Sequence, residues 1–588
     1  MSTAGADVLS PAQREVALSR LRTEEFDVVV VGGGVTGAGA ALDAVTRGLR
    51  VALVEQRDWA SGTSSRSGKL FHGGLRYLEK LDFGLVREAL RERALMLRTL
   101  CPHLVRPVRF LYPLEHRVWE RAYVGAGVLL YDTIGGAGAV PRHRHLTRTQ
   151  VGRVAPGLRQ DTLIGAVSYF DVQVDDARHT VVLVRTAAAH GAVVVSAAKV
   201  VGYERDGERV TGVRVLDAEA ASQDSESGDA APFVVHAKAV IHAAGVWTDD
   251  LQELLGGQPP FHVTPSKGVH LVVPRDRIRS DAAILVRAED SVLLIRPWFG
   301  HWIIGTTDTP WAGDRSSPAA TSADIDYLLR NANRVLDPPL TRDDIDGVYA
   351  GLRPLITAAA GATSNLSREH TVATPRPGLS VVAGGKYTTY RVMARDVVDA
   401  AAADLKHVLG HPVPPSVTQD VPLLGAAGWR AAHNRRQRIA ADTGIGLDNV
   451  DLLLRRHGAL ITQVLDELAG HPELAAQVPG APGYLLVEAR FAATHEGALH
   501  LEDVLTRRTH LAVETRDRGL RAADAIAPVL AEALGWDDIR TRDELDAYRA
   551  RVAAEIASQQ LPDDAAADAA RLAARDPRVA AAAAARRP

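Results

Sequence analysis

The stretch FDVVVVGGGVTGAGAALDAVTRGLRVALVE, residues 26–55, decides the fold. It begins with a β-branched run, passes through consecutive glycines into a segment of small residues, and ends on a second apolar run. The order strand, glycine turn, helix and strand is typical of the first βαβ unit of a doubly wound parallel sheet. We therefore expect an α/β fold.

Within this stretch the glycines fit the spacing G-x-G-x-x-G directly after the first strand. We expect Gly32 to allow a tight turn, Gly34 to let the backbone approach a pyrophosphate, and Gly37 to let helix and strand pack closely. The N–H groups at the start of the helix would bind the phosphates, and the carboxylate that closes the second strand would accept hydrogen bonds from a ribose. The predicted dinucleotide contacts are Gly32, Gly34, Val35, Thr36, Gly37, Glu55 and Gln56.

The segment SGTSSRSGKLFHGGLRYL, residues 61–78, favours FAD over NAD as the dinucleotide. It is polar and rich in glycine, yet it contains apolar residues that need burial. An NAD enzyme usually continues with an ordinary helix here, whereas a flavin ring threaded past the second strand needs exposed backbone and small side chains. The predicted cofactor contacts in this segment are Thr63, Ser64, Ser65, Lys69, Leu70, His72, Gly73 and Gly74.

Two later segments also have small residues where a predicted strand ends. They are residues 240–250 (VIHAAGVWTDD) and 384–391 (GGKYTTYR). The first lets the chain pass close to the cofactor. The N–H groups of the second can face the pyrimidine end of a flavin and stabilise negative charge on the reduced ring. The predicted cofactor contacts in this half of the chain are Ala244, Gly245, Asp308, Gly385, Lys386 and Thr388.

Composition excludes several classes of protein. The chain has 588 residues, with 68 Lys and Arg against 71 Asp and Glu, so it has no strong net charge to attract nucleic acid. Its one cysteine, Cys101, permits no intrachain disulfide, fits a reducing cytoplasm and is not expected to be catalytic. Residues 1–22 lack the apolar run of a secretory signal, and residues 124–141 are too short and polar to span a bilayer. His143 and His145 have no ligand partners nearby in sequence, so no metal site is assigned.

Three other segments carry expectations about organisation. Residues 82–100 have the spacing of an amphipathic helix. The acidic insert at 218–231 is expected to be an exposed hairpin loop, because it has little to bury. From about residue 428 the chain is rich in Ala, Arg, Leu and Asp with helical periodicity, and its last 25 residues are expected to fray.

The residues above resemble the FAD-dependent glycerol-3-phosphate dehydrogenases of the aerobic, membrane-associated type. Residues 31–48 are similar to that family's first signature, and residues 384–391 to its second. Further similar segments follow in the family's order and approximate spacing: HGGLRYLE (72–79), VDDAR (174–178), SKGVHLVVP (266–274), IIGTTD (303–308) and GLRPL (351–355). The resemblance is dense over about 25–410 and loose over the helical C-terminal part. Tyr387, where the family often has an aliphatic residue, and the insert at 218–231 depart from it.

The resemblance implies the fold of amino-acid-oxidase-like flavoproteins. In that fold a discontinuous Rossmann-like FAD-binding domain accompanies a β-rich substrate domain, and here a helical C-terminal domain follows. The expected parts are the FAD-binding domain over 22–98, 166–260 and 346–410, the substrate domain over 99–165 and 261–345, and the helical domain over 411–588.

The substrate that the resemblance implies is sn-glycerol 3-phosphate, oxidised at C2 to dihydroxyacetone phosphate by hydride transfer to FAD. Such a site needs cations for the phosphate and a group that takes the hydroxyl proton. Arg76, Arg353 and Lys386 are the candidate cations, because a guanidinium fork suits phosphate oxygens and an ammonium adds a mobile charge. His270 is the preferred base, because an unperturbed imidazole has a pKa near ~6.5. His72 is the rival base.

The expected catalytic residues are thus His270, Arg353, Lys386 and Arg76. The expected substrate-binding residues are Arg76, Tyr77, Lys267, His270, Arg353, Lys386 and Thr389. The resemblance also implies a quinone as electron acceptor and a peripheral protein at the inner face of the cell membrane. Residues 83–100 and 119–131 contain apolar and basic residues that fit a membrane surface, and they fit ordinary core-facing elements at least as well. We also expect a homodimer.

Other functions fit the same fold. A glycerol-3-phosphate oxidase that uses oxygen, or an FAD-dependent oxidase of a hydroxy or amino acid, would share most of the predicted site. A protein of a different class, a non-catalytic FAD-binding module with the helical C-terminal part as its interaction domain, would retain FAD without a need for a base and three cations.

Overall fold

The computed structural model describes residues 7–74, 82–116, 119–134, 140–223, 231–256, 258–288, 292–358, 370–574, 576 and 578. These residues form two large sheets, a two-stranded sheet and surrounding helices. The strands are, in chain order, β1 (Glu25–Val31), β2 (Val51–Val54), β3 (Leu70–Phe71), β4 (Val105–Leu114), β5 (Arg144–Thr147), β6 (Gly165–Val174), β7 (Val193–Val195), β8 (Ala198–Asp206), β9 (Arg209–Asp217), β10 (Phe233–His242), β11 (Phe261–Pro274), β12 (Ala283–Arg287), β13 (Val292–Trp298), β14 (His301–Gly305), β15 (Thr309–Pro310), β16 (Gly347–Ala358), β17 (His370–Arg376), β18 (Leu379–Gly384), β19 (Gln477–Val478) and β20 (Ala481–Leu485).

Helices cover both faces of the first sheet and form the C-terminal part. They are, in chain order, α1 (Pro11–Thr23), α2 (Val35–Thr46), α3 (Phe83–Leu95), α4 (Trp119–Ile134), α5 (Arg148–Val154), α6 (Asp176–Ala189), α7 (Ala218–Gln223), α8 (Thr248–Leu255), α9 (Ser322–Asn333), α10 (Tyr390–Leu409), α11 (Trp429–Asn434), α12 (Arg436–Thr443), α13 (Leu447–His457), α14 (Ile461–Gly470), α15 (Leu486–His495), α16 (Leu501–Asp503), α17 (Leu511–Glu514), α18 (Leu520–Leu534), α19 (Asp538–Ser558) and α20 (Asp564–Leu572). A π-helical turn, Met96–Leu100, continues α3, so the helix predicted over 82–100 is confirmed.

The first sheet contains the predicted βαβ unit. Its strands β18, β10, β1, β2 and β7 are adjacent and parallel. Residues 28–31 of β1 are buried on both faces, as a parallel sheet covered by helices requires. Helices α2, α6 and α10 share one apolar core with this sheet, and α1, α8 and the β8–β9 pair share another.

The second sheet takes most of its strands from the ranges predicted for the substrate domain. Its main path runs β15, β11, β14, β13, β12, β4, β6 and β3, with β16 paired to β11 and β5 to β6. Because β6 pairs along the whole of β4, the chain leaves this sheet after Val174, and the boundary predicted at residue 166 is too early. The short β3, Leu70–Phe71, also belongs to this sheet although it lies within the range 22–98 predicted for the FAD-binding domain.

Two segments predicted to be exposed or frayed are anchored instead. The insert begins with α7, in which the buried Glu219 accepts a hydrogen bond from His500 of the C-terminal part at 2.7 Å. Near the C-terminus, α20 is held because its Asp564 pairs with the buried Lys267 and Asp568 accepts a hydrogen bond from the Asp314 N–H at 3.1 Å. Both predictions were wrong for these residues, because the partners are distant in sequence. Residues 224–230 and 579–588 lie outside the described residues.

His500 joins the C-terminal helices to the first sheet. Its Nδ1 lies 2.8 Å from Glu544 and its Nε2 lies 2.7 Å from Glu219. Burial and the nearby Arg578 guanidinium lower the pKa of His500, but the carboxylates of Glu219 and Glu544 outweigh them and raise it to about 10. The imidazolium therefore acts as a charged clamp between the two parts.

This clamp predicts a pH-dependent stability. A folded-state pKa of about 10 exceeds the unfolded value near ~6.5, so the stabilisation is complete below ~6.5 and is lost as the pH rises towards 10. Replacement of His500 by Gln should lower the melting temperature strongly at pH 6.5 and much less at pH 10, measured by circular dichroism. The exposed His411→Gln change is the control and should have no such effect. Melting temperatures that differ equally at both pH values would contradict the clamp.

Candidate active site

The glycine turn after β1 has the geometry that its sequence predicts. Gly32 has φ +111°, and a Cβ there would lie 2.6 Å from the Ala243 carbonyl oxygen. A Cβ on Gly37 would lie 1.8 Å from the Gly32 carbonyl oxygen, so only glycine lets α2 pack this closely on β1. Helix α2 begins at Val35, whose N–H donates to the Ser64 hydroxyl at 2.9 Å.

Glu55, directly after β2, fixes this turn from the side. Its carboxylate accepts hydrogen bonds from the Gly33 N–H at 2.7 Å and from the Arg57 N–H at 2.9 Å. Burial raises the pKa of Glu55, and the two backbone donors act in the opposite direction. The carboxylate thus orients the glycine turn and also faces the cavity described next.

A cavity of about 630 Å³ runs from the glycine turn to the space between the two sheets. Most of the predicted cofactor contacts line it: Gly32, Gly34, Val35, Thr36, Glu55, Gln56, Thr63, Ser64, Leu70, His72, Gly74, Ala244, Gly245, Asp308, Gly385, Lys386 and Thr388. The predicted substrate residues His270 and Arg353 line it as well. Segments far apart in sequence therefore converge on one site.

Several predicted site residues lie behind the wall of the cavity. The ammonium group of Lys69 is buried and donates to Asp176 at 2.5 Å, and that of Lys267 donates to Asp324 at 2.7 Å. Because a buried ammonium needs a carboxylate partner, these lysines stabilise the wall. Neither lysine lines the cavity, and their contacts with cofactor and substrate stay predictions. The remaining predicted residues that do not line the cavity are Gly37, Ser65, Gly73 and Thr389. Arg76 and Tyr77 lie outside the described residues.

His270 lies in the chamber between the sheets. On β11 it is opposite Gly305 of β14 and Tyr349 of β16. A Cβ on Gly305 would lie 2.1 Å from the His270 ring, so glycine makes room for the imidazole, and Tyr349 stacks on its face with the ring centres 4.6 Å apart. Burial, followed by the positive charges of Arg296, Arg353 and Lys69, lowers the pKa of His270 well below its ordinary value. The imidazole is therefore neutral at pH 7 and able to accept a proton.

Arg353 is held in place beside His270. Its guanidinium donates to Asp308 at 3.1 Å, to the Thr306 hydroxyl at 3.1 Å and to the Thr307 carbonyl at 3.0 Å. Asp308, predicted as a cofactor contact, lines the cavity and orients this arginine. Lys386 follows Gly385, which has φ +78°, and lines the cavity from the end of the first sheet.

Sequence reasoning missed another cation of the chamber. Arg296, in the centre of β13, is 1% exposed and lines the cavity. It lies in the apolar run SVLLIRPW, where strand alternation places it on the same face as Leu294 and Trp298. A charged residue in the middle of a buried strand was the signal that could have identified it. The described residues contain no group of side chains that could hold a metal ion.

Comparison with known proteins identifies the family. Residues 27–391 match the family described as FAD dependent oxidoreductase, and residues 416–541 match the C-terminal domain of alpha-glycerophosphate oxidase. The chain is 54% identical over 563 residues to a glycerol-3-phosphate dehydrogenase of Mycobacterium leprae, covering 96% of this chain and 94% of that one. The chain belongs to the FAD-dependent glycerol-3-phosphate dehydrogenase family.

Other members of the glycerol-3-phosphate dehydrogenase family are also similar. The human mitochondrial glycerol-3-phosphate dehydrogenase is 34% identical over 575 residues, covering 94% of this chain and 77% of that one. The solved structure of the Bacillus halodurans glycerol-3-phosphate dehydrogenase complexed with FAD has a TM-score of 0.76 and 29% identity, covering 92% of this chain and 98% of that one. The predicted family and its FAD-dependent fold are confirmed.

The cavity fits the FAD of this family. The first turn of α2 presents its N–H groups at one end, where they suit a pyrophosphate, and the Glu55 carboxylate stands beside it for a ribose. The other end of the cavity reaches the chamber that contains His270, and residues of both sheets line it there. Its volume lies within the usual ~300–1,000 Å³ of cofactor sites.

The close approach of Gly37 predicts the effect of one added methyl group. The Gly37→Ala change must push α2 away from β1 and displace the N–H groups that face the cavity. We expect the purified variant to retain at least ~10-fold less flavin than the wild type, measured by absorbance. Gly470→Ala, at the end of α14 where a Cβ has open space, is the matched control. Full flavin content in the Gly37 variant would contradict the predicted role of this glycine.

Proposed function

We propose that this protein oxidises sn-glycerol 3-phosphate to dihydroxyacetone phosphate with FAD and passes the electrons to a quinone at the inner face of the cell membrane. The observation that carries the proposal is the buried His270 beside Arg296 and the anchored Arg353, at the end of a cavity that fits FAD. The names of the mycobacterial relatives support the same substrate.

In this reaction FAD, when bound, supplies the acceptor for the hydrogen at C2 and its electron pair. The His270 imidazole accepts the proton of the C2 hydroxyl group, so that a ketone forms as both bonds to hydrogen break. Arg353, oriented by Asp308 and Thr306, provides a fixed positive charge beside the base. Lys386 adds a second charge at the end of the first sheet. The positive charges of Arg353 and Lys386 favour an anionic substrate, and His270 favours one that gives up a proton.

The role of His270 is tested by flavin reduction without air. Glycerol 3-phosphate should bleach the flavin absorbance of the wild type, and His270→Gln should slow the bleaching by ~10²–10⁴-fold while it keeps its FAD. His72→Gln should have a smaller effect. His262→Gln, an exposed histidine on the same strand, is the matched control. If glycerol 3-phosphate does not bleach the flavin of the wild type, the proposed function is refuted. If it bleaches the His270→Gln variant as fast as the wild type, the role of His270 as the base is refuted.

An oxygen-dependent glycerol-3-phosphate oxidase is the second candidate. It is favoured by the match of residues 416–541 to the C-terminal domain of an alpha-glycerophosphate oxidase. The two candidate functions differ in which acceptor reoxidises the reduced flavin. The reduced enzyme is therefore mixed either with a soluble quinone or with air. The proposed dehydrogenase reoxidises with the quinone, whereas the oxidase gives a stoichiometric yield of peroxide with air.

Helix α4 supports contact with a membrane surface. Val124, Val128 and Tyr131 bury one side of it in the second sheet's core. The opposite side is also apolar, with Trp119, Tyr123, Leu129 and Leu130 exposed by 57, 53, 54 and 38%. A helix that is apolar on both sides needs a second apolar environment. No described helix is long and apolar enough to cross a membrane. From its two apolar sides we propose that α4 lies in the membrane–water interface.

Vesicle binding tests this face. Combined Tyr123→Ser and Leu129→Ser changes should lower binding to vesicles containing phosphatidylglycerol by ~10-fold or more, because they remove two exposed apolar side chains. Activity with a soluble dye acceptor should not change. Ile539→Ser with Ile556→Ser removes similarly exposed apolar side chains from α19 and is the matched control. Equal vesicle binding of the two double variants would contradict the proposed surface.

A further inference from the structure

Arg296 is a buried cation for which the expected reaction gives no role. It is 1% exposed and lines the same cavity as His270. Its Nε and Nη2 atoms have no hydrogen-bond acceptor, and its guanidinium has no ion pair, among the residues that the structure describes. A buried charge without a partner is strongly destabilising, so these two donors point to an anionic ligand.

The register of the second sheet places Arg296 close to the proposed base. Arg296 is opposite Ile303 of β14, which is opposite Val272 of β11, two residues beyond His270 and on the same face. On the other side of His270, a Cβ on Gly268 would lie 2.7 Å from the Arg353 guanidinium. The imidazole therefore lies between two arginines.

The two arginines differ in what occupies their donors. The Arg353 guanidinium donates to a carboxylate, a hydroxyl and a carbonyl group of the protein. Arg296 interacts with the Tyr349 hydroxyl, and its remaining buried donors are not used by the described protein. The neighbouring Lys69 is neutralised by Asp176 at 2.5 Å. Of the two arginines beside His270, Arg296 thus has buried donors that no described residue occupies.

We propose that Arg296 binds the phosphoryl group of the substrate through these donors, next to His270. This inference rests on the proposed function, and it adds a residue to the predicted phosphate-binding set of Arg76, Arg353 and Lys386. A guanidinium fork matches two phosphoryl oxygens, and its burial keeps competing water away. The phosphate would then be bound by a residue of the second sheet, in addition to any contact from the FAD-binding domain.

Anion binding to the oxidised holoenzyme tests this directly. Inorganic phosphate is titrated into wild type, Arg296→Met and Arg296→Lys by calorimetry. The loss of charge-assisted hydrogen bonds should weaken phosphate binding by ~10–100-fold in Arg296→Met. Arg296→Lys keeps the charge without the planar fork and should lose ~3–10-fold. Arg342→Met, at an exposed arginine paired with Asp326, is the control for loss of one positive charge and should bind as the wild type.

Flavin reduction provides the second measurement. Glycerol 3-phosphate should reduce wild type much faster than glycerol does at equal concentration, and Arg296→Met should lose most of that preference through a higher KM. Unchanged phosphate affinity in Arg296→Met, an equal loss in Arg342→Met, or an unchanged preference for the phosphorylated substrate would overturn the proposal. If Arg296→Met does not retain FAD, Arg296→Lys decides, and wild-type phosphate affinity in it would overturn the proposal.

The two proposals fail in different ways. Phosphate binding needs no turnover, so a wild type that binds phosphate through Arg296 but is not reduced by glycerol 3-phosphate refutes the function alone. A wild type that is reduced by glycerol 3-phosphate, with Arg296 variants that bind phosphate normally, refutes the role of Arg296 alone.

Discussion

One buried carboxylate, that of Asp176 at the start of α6, holds the site together. It accepts hydrogen bonds from the Ser67 N–H at 2.9 Å and from Lys69 at 2.5 Å, and its backbone carbonyl accepts one from the Tyr387 hydroxyl at 2.7 Å. Three elements therefore meet at Asp176: the loop after β2, helix α6 and the turn before α10. Tyr387, which departs from the family pattern, has a structural role here because its hydroxyl reaches this centre.

Charge balance governs the chamber between the sheets. Three cations near it are paired with carboxylates: the buried Lys69 with Asp176, the buried Lys267 with Asp324, and the half-buried Arg353 with Asp308. Burial lowers the pKa of His270 most, and the positive charges of Arg296, Arg353 and Lys69 lower it further, because they would repel a charge on the ring. An anionic substrate would reduce that repulsion and so make the imidazole a stronger base when it is bound. Substrate binding and proton transfer are thereby linked through the same electrostatic field.

The helical C-terminal part is attached to the FAD-binding part largely by buried ion pairs. Arg508 donates to Asp58, directly behind the glycine turn, at 2.7 and 2.8 Å, and Arg178 of α6 pairs with Glu496. Such pairs require that both partners be present, since removal of one leaves an unpaired buried charge. The C-terminal part is for this reason expected to influence the shape of the cofactor cavity without lining most of it.

The sequence alone determined what depends on neighbouring residues: the βαβ unit, the tight turn at Gly32, the close packing at Gly37 and the helix from residue 83. These follow from backbone geometry within a few turns of chain. The tertiary structure decided the roles of the buried charges. Lys69 finds its carboxylate 107 residues away, and Lys267 finds one of its two 297 residues away, so neither ion pair could be predicted from the neighbouring sequence. Arg296 was missed for the same reason, because whether a buried cation is paired depends on side chains that only folding brings into contact with it.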